Sequence, residues 1–228
     1  MTRYAVADIH GGNLTFRALV TRLKLHRDDR LYLLGDYVDR GPDSKGVLDA
    51  IMMMLNAGYD VRPVRGNHDD LLLRTITGNH DKYSNHYMDN WGFYTLLNFD
   101  AVDPADITDK YRNFLASLPF ILEDDGFIFV HAALDMNEDN PLADSAEEVM
   151  LWGNGPFPVH NEIAGRTIVS GHKLRTCEQI AASLSMPHIQ MDNGAFTNQQ
   201  PEYGNLMALN LETMELILQP WLDGEANI

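Results

Sequence analysis

Five short clusters of aspartate, histidine, asparagine and glycine punctuate the chain, each directly after a compact apolar run. Asp8-Ile9-His10 follows Arg3–Ala7. Gly35-Asp36-Tyr37-Val38-Asp39-Arg40-Gly41 follows Leu31–Leu34. Gly66-Asn67-His68-Asp69 follows Val61–Val64, His131 follows Phe127–Val130, and Gly171-His172 follows Thr167–Ser170. Short apolar runs bounded by glycine and polar residues read as buried strands. Between the first three lie Asn13–Leu25, apolar at Leu14, Ala18, Leu19, Leu23 and Leu25, and Ser44–Leu55, with Ser44 in the N-cap position. Both segments have helical spacing. The order β-α-β-α-β predicts an α/β fold with a partly parallel sheet. In such sheets the loops beyond the carboxyl ends of the strands meet and build the site, so the five clusters are expected to converge.

The rest of the chain fits the same architecture. His68–Thr77 reads as a third helix. Gly78–Asn90, polar and containing His80 and His86, reads as a loop. Trp91–Phe99 and Pro104–Leu118 read as helices, the second started by Asp103 ahead of Pro104. Strands are predicted at Phe120–Leu122, Phe127–Val130, Thr167–Val169, Ile189–Met191, Leu206–Leu211 and Glu215–Gln219, with Asp124-Asp125-Gly126 as a hairpin turn. This predicts two packed sheets flanked by helices. No linker divides the 228 residues, so a single domain over 1–228 is expected. Met52-Met53-Met54 should be partly core. Trp91, Phe93 and Tyr94 are expected to serve packing, and Cys177 no catalytic purpose.

Charge and cysteine usage narrow the partners. The formal charge is −16, from 17 basic and 33 acidic residues, and no Lys/Arg cluster stands out. Such a surface repels a nucleic-acid polymer. No apolar run approaches the ~20 residues that span a bilayer, so no membrane is expected as a partner. Met1–Asp8 meets charge too soon for a secretory segment. Cys177 is the sole cysteine, which excludes an intrachain disulfide and points to the cytoplasm.

The clusters carry oxygen and imidazole donors and no thiolates. That set suits manganese, with iron or zinc as alternatives. Asp8 and His10 are two apart, so an extended backbone points both to one side. A carboxylate such as Asp36 can bridge two ions. Two ions ~3.5–4 Å apart clamp a phosphoryl group and supply an activated water at neutral pH.

Taken in order, Asp8-x-His10-Gly11, Gly35-Asp36-x-x-Asp39-Arg40-Gly41, Gly66-Asn67-His68-Asp69, His131-Ala132 and Gly171-His172 resemble the motifs of the calcineurin-like metallophosphoesterases. Asp39-Arg40-Gly41 resembles the phosphoprotein phosphatase branch. Asp192-Asn193-Gly194-Ala195 and Tyr203-Gly204-Asn205-Leu206 are similar to segments of lambda-type bacterial Ser/Thr protein phosphatases. The resemblance, which runs from about residue 3 to about residue 220, implies a four-layer α/β/β/α sandwich. It implies that Asp8, His10 and Asp36 hold one divalent ion, and Asp36, Asn67, His131 and His172 a second. His68 would be the general acid, oriented by Asp39, and Arg40 would grip the phosphate, which Asn67 also contacts. Lys173-Leu174 after His172 leaves no second histidine of a Gly-His-x-His motif, as in the phosphatase branch.

Two departures bear on substrate. Asp69 stands where protein phosphatases usually have Glu, whereas diadenosine tetraphosphate hydrolases of the superfamily have Gly-Asn-His-Asp. Asn154, in Leu151-Trp152-Gly153-Asn154, stands where lambda-type enzymes carry a second phosphate-binding arginine, which Arg166 or Arg175 would have to replace. The resemblance implies a protein serine/threonine, or tyrosine, phosphatase acting on phosphoproteins or phosphopeptides. The alternative is a dinucleoside polyphosphate hydrolase with the same metal site. A third reading, a metal-holding protein without catalysis, would require a lost ligand or a lost His68–Asp39 pair, and all of these residues are present.

Overall fold

The computed structural model describes residues 1–78, 87–154, 163, 165–197 and 201–226. Two sheets stack face to face. The first has the order β3-β2-β1-β8-β9, with β1 Arg3–Val6, β2 Arg30–Leu33, β3 Asp60–Pro63, β8 Asn205–Asn210 and β9 Glu215–Pro220. The second has the order β4-β5-β6-β7, with β4 Ile121–Asp124, β5 Phe127–Val130, β6 Thr167–Ser170 and β7 His188–Gln190. β1, β2 and β3 run parallel in register, as do β5, β6 and β7, while β8, β9 and β4 are antiparallel additions.

Alternation of side chains along the strands builds the layers. Ala5, Tyr32, Phe129, Val169, Ile189, Met207 and Leu209 come from both sheets and share one buried cluster between them. Their neighbours Val6, Leu31 and Leu33 face the other way and pack against Phe16, Leu19, Val47, Ile51, Leu71 and Leu72 of three helices. These are α1 Asn13–Leu23, α2 Ser44–Asn56 and α3 Asn67–Ile76. Ile128, Val130 and Ile168 face outward from the second sheet onto Leu134 and Met150. A two-residue period with apolar groups on both faces is what a sheet covered on both sides requires. The result is the expected α/β/β/α sandwich, two mixed sheets flanked by helices.

The elements differ from the sequence reading in instructive ways. Ser44 does not cap α2. Asp43 does, accepting from the Gly46 amide at 2.8 Å, and the Ser44 hydroxyl instead accepts from the Asp39 amide at 2.9 Å. α1 has no local side-chain cap. Its Leu14 and Thr15 amides donate to the carboxylate of Asp223, over two hundred residues away, a partner no local pattern can reveal. Pro104–Leu118 is not one helix: a 3₁₀ turn at Pro104–Asp106 precedes a separate helix at Asp109–Ser117. The reading of Gly78–Asn90 as loop fails at its end. Met88–Gly92 is a π-helical turn that leads into the helix Phe93–Asn98, while His80 and His86 lie outside the described residues. Three short helices, Pro141–Asp144, Glu147–Trp152 and Cys177–Ser183, went unread because each is shorter than one amphipathic period can betray. Of the methionines in α2, Met54 is buried and Met53 is exposed.

Candidate active site

All five clusters lie just past the carboxyl ends of β1, β2, β3, β5 and β6, and the structure brings them together. The loops are laced by backbone hydrogen bonds. His10 and Ile9 amides donate to Asp36 O, Gly11 to Tyr37 O, Gly41 to His10 O, and Gly171 to His131 O. The backbone is strained where it matters. Among the described residues, eight non-glycine residues have positive φ, and five of them are His10, Asp36, Asp39, Arg40 and His172. Left-handed backbone in such residues is costly and concentrates where surrounding structure holds a functional geometry in place. Gly66 shows how close the approach is. A Cβ there would lie 2.1 Å from the Asp36 amide nitrogen and 2.2 Å from its Oδ1.

Asp36 sits at the centre. Its Oδ2 is 3.5 Å from His10 Nε2 and 3.5 Å from His131 Nε2, on two sides. Its Oδ1 accepts from the His68 amide at 2.9 Å, which fixes the carboxylate plane. His10 and His131 each hydrogen-bond through Nδ1 to a backbone carbonyl, Val38 O at 3.0 Å and Leu34 O at 2.8 Å. A carbonyl accepts only, so both Nδ1 atoms carry the proton and both Nε2 lone pairs point inward. Asn67 Oδ1 lies 2.7 Å from His131 Nε2 and 3.1 Å from His172 Nδ1. The lone pairs of His10, Asp36, Asn67 and His131 thus converge, with no proton between Asn67 Oδ1 and His131 Nε2, an arrangement that a cation satisfies. Two overlapping groups of donors meet this description, His10-Asp36-His68 and Asp36-His131-His172, sharing Asp36. The residues fit divalent ions on these grounds. Asp8 enters neither group. Its buried carboxylate accepts from the His172 amide at 2.9 Å.

Electrostatics separate the imidazoles. Burial holds His10 well below the ordinary histidine value, lowers His131, and lowers His172 to about 3. These rings are neutral, the form that ligates metal. His68 differs. Burial alone would lower it, but the carboxylates of Asp36 and Asp39 outweigh burial and raise it. Burial, then the neighbouring Asp192 and Asp36 carboxyls, push Asp8 well above the usual carboxylate range. A cluster of buried acids of this kind is balanced by positive charge.

Beside the donors stands the His68–Asp39 pair, with His68 Nδ1 2.6 Å from Asp39 Oδ2. The other Asp39 oxygen accepts from Tyr87 OH at 2.7 Å and from Thr95 Oγ1. Both are buried, Tyr87 directly before the π-helical turn and Thr95 in the helix Phe93–Asn98, so sequence reading had no local signal for them. Arg40 lies with its guanidinium 5.0 Å from the Trp91 ring centre and 4.5 Å from that of Phe196. Trp91 also contacts the His68 ring edge-on at 4.9 Å. Trp91 therefore walls the site, and Phe93 and Tyr94 are largely exposed rather than packed, at 56% and 47%. Asp69 is not at the reacting centre. It caps α3, accepting from Gly66 N at 2.9 Å and Tyr37 N at 3.0 Å, and burial followed by the Asp36 charge pushes it up to about 8. Of the two arginines expected near Asn154, Arg166 precedes β6 and is bonded to Glu123, at the opposite end of the strand from His172. Arg175 shares a cavity with Asn154.

Residues 1–176 match the family model for calcineurin-like phosphoesterases. The chain belongs to the calcineurin-like phosphoesterase family. Among curated proteins, this phosphoesterase is similar to the symmetrical bis(5'-nucleosyl)-tetraphosphatase of Chromohalobacter salexigens, 33% identical over 186 residues, which are 72% of this chain and 62% of that protein. The chain thus spans about three-fifths of that relative's length. The protein of the same name in Aromatoleum aromaticum is 29% identical over 198 residues, 78% of this chain and 68% of that one. Among solved structures, one provisionally assigned as a diadenosine tetraphosphatase superposes at a TM-score of 0.64 and 21% identity, covering 98% of this chain and 95% of its own. A serine/threonine phosphatase of Saccharomyces cerevisiae superposes at 0.59 and 17% identity, covering 99% and 81%. At these identities the two structures speak for the fold of the phosphoesterase.

Proposed function

We propose that the chain is a single catalytic domain that hydrolyses a phosphoanhydride of dinucleoside polyphosphates, cutting diadenosine tetraphosphate symmetrically into two molecules of ADP. The observation that carries hydrolysis is Asp36 Oδ2, set between His10 Nε2 and His131 Nε2 at equal distances. The choice of substrate over a phosphoprotein rests on the curated relatives, which bear the tetraphosphatase name.

In this reading Asp8, His10 and Asp36 hold one ion and Asp36, Asn67, His131 and His172 the other, with manganese as the first candidate and iron or zinc behind it. Such ions supply an activated water and offset charge on the phosphoryl group. The chain's own groups do the rest. Arg40, held against the Trp91 and Phe196 rings, grips the phosphoryl oxygens. His68 carries the proton for the departing oxygen, and Asp39 holds its Nδ1 so that Nε2 presents it. A departing ADP phosphate is a weak base and needs little protonation, so His68 matters less here than it would for a serine alkoxide. Asp8, bonded to the His172 amide, keeps the loops after β1 and β6 together.

The manganese-loaded protein should release ADP as sole nucleotide from diadenosine tetraphosphate, with a kcat/KM far above that for phosphoserine and phosphothreonine peptides. Efficient phosphate release from phosphopeptides, with the tetraphosphate left intact, would replace this reading by a protein phosphatase.

A further inference from the structure

A cavity of about 260 Å³ opens next to the candidate ion site, lined by Ala132, Gly153, Asn154, Lys173, Arg175 and Gln190 among others. Ala132 directly follows His131 and Lys173 directly follows His172, and the Trp152 ring, two residues before Asn154, meets the His172 ring edge-on at 6.1 Å, which places the cavity beside the site. Its charge is opposite to that of the chain as a whole. The chain carries −16, yet two cations line this cavity and no carboxylate does, among the described residues. Neither Lys173 nor Arg175 forms an ion pair with a described residue.

Arg175 is held ready rather than loose. Its Nε donates to Gln190 Oε1 at 2.8 Å, its amide donates to Asp192 O at 2.8 Å, and its carbonyl accepts from Asn193 Nδ2 at 2.9 Å. Asp192, the buried acid that feels the Arg175 charge, is committed to the Gly194 amide and does not line the cavity. Two half-buried cations, with the Asn154 side chain beside them and no anion among the described residues to satisfy them, match a phosphate in charge. We propose that the cavity formed by Asn154, Lys173 and Arg175 is a second phosphate-binding subsite, which takes a phosphate of an oligophosphate chain beyond the one held at Arg40. The inference deepens the tetraphosphatase reading and rests on it for the natural substrate, while the subsite itself is tested without it.

Calorimetric titration of tripolyphosphate and of orthophosphate into manganese-loaded protein, at fixed free manganese, is the test. Wild type should bind tripolyphosphate more tightly than orthophosphate. Lys173→Gln with Arg175→Gln should weaken tripolyphosphate by roughly 10-fold or more and orthophosphate much less, because each lost contact is charge-assisted. Exchanging the cations, Lys173→Arg with Arg175→Lys, should restore most of the tripolyphosphate affinity, which separates charge from misfolding. The same neutral variant should raise the KM for diadenosine tetraphosphate more than that for p-nitrophenyl phosphate. Equal weakening of both anions, or unchanged tripolyphosphate binding in the neutral variant, overturns the subsite. If wild type discriminates the anions as expected but leaves the tetraphosphate uncut, the subsite stands and the proposed substrate falls.

Discussion

The two rims of the site are built differently. The rim after β1, β2 and β3 holds Asp8, His10, Asp36, Asp39, Asn67 and His68, all buried, with left-handed backbone at His10, Asp36 and Asp39 and hydrogen bonds between loops. The rim after β5 and β6 contributes buried His131 but then opens into a cavity lined by half-exposed Lys173 and Arg175. Strain and burial on the first rim leave little freedom, as expected of groups that must hold ions and a proton in fixed places. The departure at Asn154 lies on the open rim. In the proposed reading the buried rim carries most of the chemistry, and the open rim, beyond His131 and His172, selects the substrate.

The assignment can be broken first at His68. His68→Asn should cut kcat on an alkyl phosphate by ~10²–10⁴-fold while ion content is retained. The loss should shrink on an aryl phosphate and on the phosphoanhydride, whose leaving groups need less protonation. Equal losses on all three would remove His68 from the proton-donor role. On the other rim, Asn154→Arg should add a charge-assisted contact worth ~1.5–3 kcal/mol and tighten inhibition by tripolyphosphate by roughly 10- to 150-fold, with orthophosphate changed much less. If Asn154→Arg and Asn154→Ala both match wild type in tripolyphosphate inhibition, residue 154 does not face the bound anion. Back on the buried rim, Tyr87→Phe removes one donor from Asp39. A hydrogen bond to a charged group at this position should cost ~10-fold in kcat with KM nearly unchanged. A change in KM alone would show that Tyr87 serves packing rather than the pair. Trp91→Leu removes one face of the Arg40 sandwich, and a contact of about 0.5–2 kcal/mol predicts a KM rise of about 2- to 30-fold with kcat little altered. An unchanged KM would mean that Phe196 alone holds the guanidinium.

Much of the first rim was legible in the sequence because its residues follow strands at short, fixed intervals. Asp8 and His10, Asp36 and Asp39, and Asn67 and His68 are each set by a local turn, so their ordered clusters stand out in the sequence, while the separate roles come only from the family resemblance. The supports were not legible. Tyr87 and Thr95 reach Asp39 from 48 and 56 residues away, and a tyrosine or threonine in a helical stretch carries no sign of such a partner. Asp69 shows the reverse error. It sits within the densest motif and invites a functional reading, yet its carboxyl is spent on the Gly66 and Tyr37 amides. It shapes the turn that carries Asn67 and His68 and cannot by contact discriminate between substrates. Asp223 and Ser44 teach the same lesson about caps, since the group that completes a helix or a loop is chosen by tertiary proximity.

In the proposed mechanism hydrolysis depends on one carboxylate, Asp36, shared between two ion positions. Manganese content of the purified, exchanged protein should therefore be measured together with turnover, for wild type and Asp36→Asn. The substitution keeps an oxygen for the His68 amide and so spares the fold. Wild type should bind two manganese ions per chain, lose all hydrolysis on chelation and regain it with manganese. Asp36→Asn should keep no more than one ion per chain and hydrolyse neither the tetraphosphate nor an aryl phosphate. Full activity with a single ion, or two ions and undiminished turnover in Asp36→Asn, would contradict the account.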